Sequence, residues 1–120
     1  MEKQNISVDP QDAQDNKIMG VLAYLGILIL VPILKAKESP FARFHVNQGL
    51  VLFIASFAYS TVVWIVTFVL TMISPSLSLI GSLLSIVSIG FLVLIVLGII
   101  NAVNGVTKEL PIIGKYRIIK

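Results

Sequence analysis

The feature that most constrains this chain is a run of 64 residues, 44–107, that contains no Asp, Glu, Lys or Arg. Arg43 and Lys108 are the charged residues on either side of this run. Of the 120 residues in the chain, 57% are hydrophobic and 12% are charged, whereas a soluble domain has about 25% charged residues. A chain this short has too little interior to hide so much apolar surface from water. We therefore expect an all-α integral membrane protein, with lipid covering most of its apolar side chains.

Three apolar segments are long enough to be membrane-spanning helices. Residues 18–34 are at the short limit for a span, whereas residues 49–73 and 77–100 can each cross a bilayer with some tilt. Only Ser74-Pro75-Ser76 separates the last two segments, so we expect them to form a tight antiparallel hairpin. A tilted or partly inserted helix is the alternative for the short first segment.

The remaining residues are expected to lie outside the bilayer. Residues 1–16 are polar and show no apolar periodicity, which predicts a disordered tail in front of a helical membrane domain, residues 17–120. Residues 40–48 are predicted to form an amphipathic segment at the membrane interface, with Phe41 and Phe44 against the lipid headgroups. Residues 105–120 are predicted to be a cytoplasmic tail.

The distribution of basic residues predicts the orientation. With three spans, the loop after the first span and the segment after the third share one side of the membrane. The basic residues on that side are Lys35, Lys37, Arg43, Lys108, Lys115, Arg117 and Lys120, against Lys3 and Lys17 on the other. The positive-inside rule then places the carboxyl terminus in the cytoplasm of a prokaryote and the amino terminus outside its plasma membrane. If the first segment does not span, the amino-terminal tail moves to the cytoplasmic side.

Five polar residues are predicted to share one layer at the cytoplasmic edge of the membrane. His45, Asn47 and Gln48 precede the second span, and Asn101 and Asn104 follow the third. Hydrogen bonding between helices is the favoured interpretation, and a recognition or solute site is the alternative. A single His in a chain without cysteine is poor support for a metal site or for catalysis, so no metal, cofactor or catalytic residue is predicted.

Small and hydroxyl residues form a stripe on each of the last two helices. The first stripe consists of Gly49, Ser56, Ser60, Thr67 and Thr71, and the second of Ser78, Gly81, Ser82, Ser85 and Ser88. At 100° per residue, each set lies on one helix face. Helix packing is the favoured interpretation, because small residues let two backbones approach closely. A polar lining for a solute is the alternative.

The run SPFARFHVNQGL at residues 39–50 resembles a family of small prokaryotic membrane proteins of unknown function. That family is grouped with Tic-twenty, a component of protein import at the chloroplast inner envelope. The preceding VLAYLGILILVPIL and the later NAVNG and LPIIGKYRIIK are similar to the same family, so the resemblance covers about residues 17–120. It implies a helical membrane fold but no settled activity. The chloroplast relatives are described with four spans, against the three predicted here.

The leading functional hypothesis is a non-enzymatic multi-pass protein that works by association, as a scaffold or as a subunit of a translocation or envelope complex. Its expected partners are the lipid bilayer and other membrane proteins, including copies of itself. The alternative is a small oligomeric transporter or channel for a polar solute or ion. An enzyme is disfavoured because no nucleophile with a base and no carboxylate pair stands out. Nucleic acid is not expected as a partner, because the basic residues are scattered singly.

Overall fold

The computed structural model describes residues 8–118, which form α-helices, short 3-10 helices and turns, with no β-strand in that range. The elements are α1 (Pro10–Asp15), α2 (Lys17–Leu22), the 3-10 helix η1 (Gly26–Ile29), α3 (Leu30–Lys35), α4 (Pro40–Ile73), the 3-10 helix η2 (Pro75–Leu77), α5 (Ser78–Ser85) and α6 (Val87–Val103). The helical fold class expected from the sequence is therefore confirmed.

Helix α4 is 34 residues long and turns into α5 and α6 through Ser74 and η2. Its first turn is capped by Ser39, whose side chain accepts a hydrogen bond from the backbone N–H of Ala42 at 3.0 Å, and Pro40 occupies the first helical position. The α4 helix and the Pro75–Val103 segment are long and apolar enough to cross a membrane, by length and composition. Within their most apolar stretches only 11% and 6% of the residues, respectively, are buried inside the protein, whereas a core helix of a soluble domain is mostly buried.

The first apolar segment does not form the single helix predicted for residues 18–34. It is divided into α2, η1 and α3, and the chain reverses around Gly26, whose φ of 66° is in the left-handed region that favours glycine. The two ends of the segment lie close together, as shown by Asn16 and Lys35, which line the same cavity of about 500 Å³. The described residues thus contain two candidate spans, and the expected count of three is not confirmed.

Residues 10–15 form helix α1, where the sequence predicted part of a disordered tail; residues 1–7 of that tail lie outside the described range. Asp9 caps α1 by accepting a hydrogen bond from the backbone N–H of Gln11 at 2.9 Å. Asp12 then accepts hydrogen bonds from the Ser39 hydroxyl at 2.6 Å and from the backbone N–H of Phe41 at 2.9 Å. The order of this segment therefore depends on a carboxylate that binds the capping hydroxyl and one otherwise free N–H group at the start of α4.

The chain after α6 folds back along the start of α4. Gly105, with φ 69°, follows the end of α6 as a glycine commonly does at a helix carboxyl end. Leu110 and Thr107 are buried in this return segment, which we call the strap, residues 104–118. The predicted carboxyl-terminal tail is thus packed against the protein as far as residue 118.

Two regions result, which we call the head and the arms. The head comprises α1–α3, residues 40–52 of α4, residues 98–103 of α6 and the strap, and it contains the buried core. The arms are the rest of the hairpin, residues 53–97, and most of their large apolar side chains are exposed.

Candidate functional site

The centre of the head is the imidazole of His45, which is fully buried. Its Nε2 lies 2.9 Å from the carbonyl oxygen of Val106, and its Nδ1 lies 2.7 Å from the hydroxyl oxygen of Tyr24. A carbonyl oxygen only accepts, so Nε2 carries the proton and donates it, while Nδ1 accepts from the Tyr24 hydroxyl. A neutral imidazole thus satisfies both of its nitrogens within the protein.

Three aromatic rings surround this imidazole edge to face. The centroid distances from His45 are 4.7 Å to Phe41, 5.1 Å to Phe44 and 5.6 Å to Tyr24. Phe41 and Phe44 are buried, which corrects the prediction that they face lipid headgroups from an amphipathic segment at residues 40–48. The reason is that α2 and the strap cover this part of α4, a tertiary contact that local amphipathicity does not report.

The side chain of Gln48 links α4 to the strap through both of its polar atoms. Its Nε2 donates to the carbonyl of Gly114 at 2.8 Å, and its Oε1 accepts from the backbone N–H of Leu110 at 2.9 Å. Gln48 is fully buried, so these bonds replace the water that its amide would otherwise need.

The other amides of the predicted layer also bond to backbone groups. The side-chain oxygen of Asn47 accepts from the N–H of Ile118 at 2.8 Å, and its Nδ2 donates to the carbonyl of Arg43 at 3.1 Å. Asn101 donates to the carbonyl of Lys108 at 3.3 Å. Asn104 lies just beyond α6 with an exposed side chain. Four of the five predicted layer residues, His45, Asn47, Gln48 and Asn101, therefore hold the strap, and none of these bonds joins two of the five to each other.

Glycines let α2 approach this cluster. A Cβ on Gly49 would lie 1.9 Å from the carbonyl oxygen of Ala23, and a Cβ on Gly98 would lie 2.3 Å from the ring of Tyr24. Tyr24 and Asp12 are among the head residues that the sequence did not single out. The only local signal for Tyr24 was its place inside an apolar run, which is equally typical of an aromatic side chain facing lipid.

The two hydroxyl stripes meet along part of the hairpin. A cavity of about 400 Å³ lies between α4 and the α5–α6 side. Its lining residues are Ser60, Val63, Trp64, Thr67, Ser78, Gly81, Ser82, Ser85 and Ser88. Gly81 packs directly on Thr67, where an added Cβ would come within 2.2 Å of the hydroxyl oxygen.

The remaining stripe residues lie elsewhere. Gly49 and Ser56 line a smaller cavity of about 80 Å³ beside Gly26, and Thr71 is exposed near the turn. Ser82 and Ser85 donate to carbonyls one turn earlier in their own helix, at Ser78 and Gly81 respectively. Within residues 8–118, no three His, Cys, Asp or Glu side chains are grouped so that they could hold a metal ion.

A closely packed head on a long apolar hairpin is the architecture of a small membrane-associated helical protein. The chain matches the model of the magnetosome magnetite crystal formation protein family over residues 15–119. Because the match covers nearly the whole sequence, this chain belongs to that family.

Two curated relatives agree with this assignment. The chain is 37% identical over 100 residues to magnetosome protein MamF of Paramagnetospirillum magneticum. The aligned region covers 82% of this chain and 79% of the relative. The chain is 34% identical over 98 residues to magnetosome protein MamF of Magnetospirillum gryphiswaldense, and that aligned region covers 81% and 78%. No solved structure matches the chain significantly.

The resemblance to the family grouped with Tic-twenty is therefore wrong. The run SPFARFHVNQGL on which it was based lies inside the range matched by the magnetosome family. In the structure this run begins α4 and holds the strap through His45, Asn47 and Gln48. Its residues serve the packing of the head, so similarity in this run is no sign of a role in protein translocation.

Proposed function

We propose that this protein is a multi-pass component of the magnetosome membrane that acts in magnetite crystal formation by association and without catalysis. The family description supports the location and the process, and the names of the two relatives support the location. The proposal that the protein acts by association is supported by its architecture. A long exposed apolar hairpin is joined to a head in which the buried polar side chains bond to the protein itself. The family description refers to crystal formation, and neither it nor the relatives' names refer to transport, so the transporter alternative gains no support from them.

The hairpin is proposed to span the membrane through its arms. Residues 53–73 of α4 are about 30 Å long at about 1.5 Å per residue, which equals the usual thickness of a hydrocarbon core. Trp64, 68% exposed, and Leu83, 66% exposed, would face lipid on this arrangement. The head then lies at one membrane interface, with the first apolar segment entering and leaving on that same side.

The head is proposed to face the cytoplasm. With two spans, all nine Lys and Arg residues and all six Asp and Glu residues of the sequence lie on the head side. The positive-inside rule assigns this side to the cytoplasm, together with both chain ends. The opposite side presents Ser74, Pro75 and Ser76, which offer no carboxylate for a metal cation. We therefore expect the protein to influence crystal formation indirectly, by acting on the membrane or on a partner protein.

Cysteine labelling tests this topology, because the native chain contains no cysteine. Gln11→Cys, Lys37→Cys, Lys115→Cys and Ser76→Cys would be produced singly and treated with a membrane-impermeant thiol reagent on intact isolated magnetosomes. We expect labelling at the first three positions and labelling of Ser76→Cys only after detergent is added. Labelling of Lys37→Cys without labelling of Gln11→Cys would indicate three spans. Labelling of Ser76→Cys in intact organelles would indicate the opposite orientation.

The functional proposal is tested by deleting the gene in a magnetotactic host and measuring crystal number and size by electron microscopy. The wild-type gene should restore the crystals, and a Gln48→Leu variant that loosens the head should restore them less well. Exposed-residue controls such as Gln11→Leu should restore them fully. Normal crystals in the deletion strain would contradict a role in crystal formation, whatever the topology proves to be.

A further inference from the structure

We infer that the first apolar segment, residues 18–34, is a one-sided membrane wedge, and that the partner it fits is a convex lipid leaflet. This inference rests on the proposed topology, in which the head lies at one interface and the arms cross the bilayer. It goes further by assigning a binding surface to the broken segment α2–η1–α3.

The segment has one face for the protein and one for lipid. Ala23, Tyr24 and Ile29 are buried against the core. The opposite face carries large apolar side chains, of which Ile18 is 71% exposed, Ile27 77% and Leu34 64%. Leu25, Leu28 and Leu30 are exposed on the same segment. A small protein rarely leaves so many large apolar side chains of one short segment exposed to water, which indicates that lipid covers them.

The depth of insertion follows from the neighbours of the turn. Gly26 shares a cavity with Phe53 and Ser56, which stand at the start of the exposed part of α4. The tip thus reaches the outer part of the proposed hydrocarbon layer and stops there, because the chain reverses at Gly26. Lys17 and Lys35, at the two ends of the segment, stay at the level of the headgroups.

The inserted segment makes the protein wider in one leaflet than in the other. At the level of the tip, the protein comprises the two limbs of α2–η1–α3 in addition to α4 and α6, whereas the arms alone continue into the opposite leaflet. Apolar segments that enter one leaflet expand it relative to the other, and their binding depends on curvature. The extra area is accommodated best where the leaflet on the head side is convex, as on the outer surface of a small vesicle.

The test uses purified full-length Lys37→Cys protein reconstituted into small sonicated and large extruded vesicles of the same lipid composition. An impermeant thiol reagent reports the fraction of molecules whose head faces outward, and fluorescence per lipid reports the protein density. We expect the protein density to be at least about twofold higher on the small vesicles, and the outward fraction there to exceed that on the large vesicles. Equal outward fractions and equal densities on the two vesicle sizes would overturn the inference.

A pair of matched variants separates the wedge from the rest of the hairpin. Ile27→Ser with Leu28→Ser removes apolar atoms from the exposed tip, where the side chains face away from the core. Met72→Ser with Ile73→Ser makes the same change beside the distant turn. We expect the first pair to abolish the preference for small vesicles and the second pair to retain it; equal behaviour of the two pairs would refute a role for the tip.

The organelle labelling described above distinguishes a failure of the wedge from a failure of the topology. If Gln11→Cys and Lys37→Cys label together while vesicle size has no effect, the topology stands and the wedge is refuted. If Gln11→Cys and Lys37→Cys label on opposite sides, the first segment crosses the membrane, and the proposed topology fails together with the wedge.

Discussion

The head and the arms are built on the same helix, yet they are stabilised in different ways. In the first part of α4, residues 41–49, all but Arg43 are buried, and His45 and Gln48 bond to residues more than 60 positions away in the sequence. Beyond Leu52 the same helix exposes Phe57 and Trp64. A single helix therefore passes from a protein interior into a region that the rest of the protein leaves uncovered.

The difference lies in how specific the contacts must be. In the head, buried donors and acceptors have to be matched one to one, since an unpaired polar group in an apolar interior is costly. In the arms, most side chains need only an apolar solvent, and specific contacts are sparse. The Tyr59 hydroxyl, which donates to the carbonyl of Leu84 at 2.6 Å, and the packing of Gly81 on Thr67 are the main exceptions. Equivalent substitutions should therefore have unequal effects in the two regions.

The largest difference is expected between two glycine substitutions. A Cβ on Gly49 would meet the backbone carbonyl of Ala23, which cannot move without displacing α2, whereas a Cβ on Gly90 would meet nothing within 4 Å. Gly49→Ala should lower the free energy of unfolding by about 3 kcal/mol, and Gly90→Ala should raise it by up to about 1 kcal/mol. Denaturation in detergent micelles, followed by helical circular dichroism, measures both. Equal effects would show that the head is no more tightly packed than the arms.

A smaller effect is expected from Gln48→Leu. The substitution leaves the N–H of Leu110 buried without its partner, while the carbonyl of Gly114 keeps the Arg117 guanidinium. The expected cost is about 2 kcal/mol, together with faster amide hydrogen exchange throughout the strap. Gln11→Leu, on the exposed face of α1, is the matched control and should change stability by less than about 0.5 kcal/mol. Unchanged exchange in the strap would contradict its attachment through Gln48.

The smallest effect is expected from removing one hydroxyl group. Tyr24→Phe deprives the Nδ1 atom of His45 of its donor inside the head and should cost about 1 kcal/mol. Thr61→Val removes a hydroxyl that donates a hydrogen bond only to the Phe57 carbonyl of its own helix, on an exposed face of α4. Its effect on the free energy of unfolding should be close to zero. The chemical shifts of the His45 ring nitrogens in nuclear magnetic resonance spectra provide a direct second measurement. A ring whose Nδ1 shift is the same in Tyr24→Phe would exclude the assigned hydrogen bond.

The two helices of the hairpin could be predicted because their signals are local. Residues 49–73 and 77–100 are long, uncharged and separated by a Ser-Pro-Ser turn, and the structure has α4 and the Pro75–Val103 segment at these positions. The sequence also placed a layer of five polar residues, His45, Asn47, Gln48, Asn101 and Asn104, at one end of the hairpin, and the first four bond to the strap. The hydrogen-bond partners of these side chains were not predictable, because they are backbone carbonyl and N–H groups of the strap. Such groups occur all along the chain, so the sequence does not show which of them will be bound.

The amino-acid sequence was enough to show that this chain is unusually apolar and that its charges lie to either side of one long apolar stretch. Those properties depend on composition and length, which act through the solvent and need no particular contact. That residues 18–34 turn back and that the strap closes over α4 became visible only in the packed structure. The turn is held where Tyr24 meets His45 and Gly98, and these residues come together only after the helices have packed. The length of an apolar segment shows whether it is long enough to span a membrane. Contacts between residues distant in the sequence determine whether it forms one straight helix or turns back.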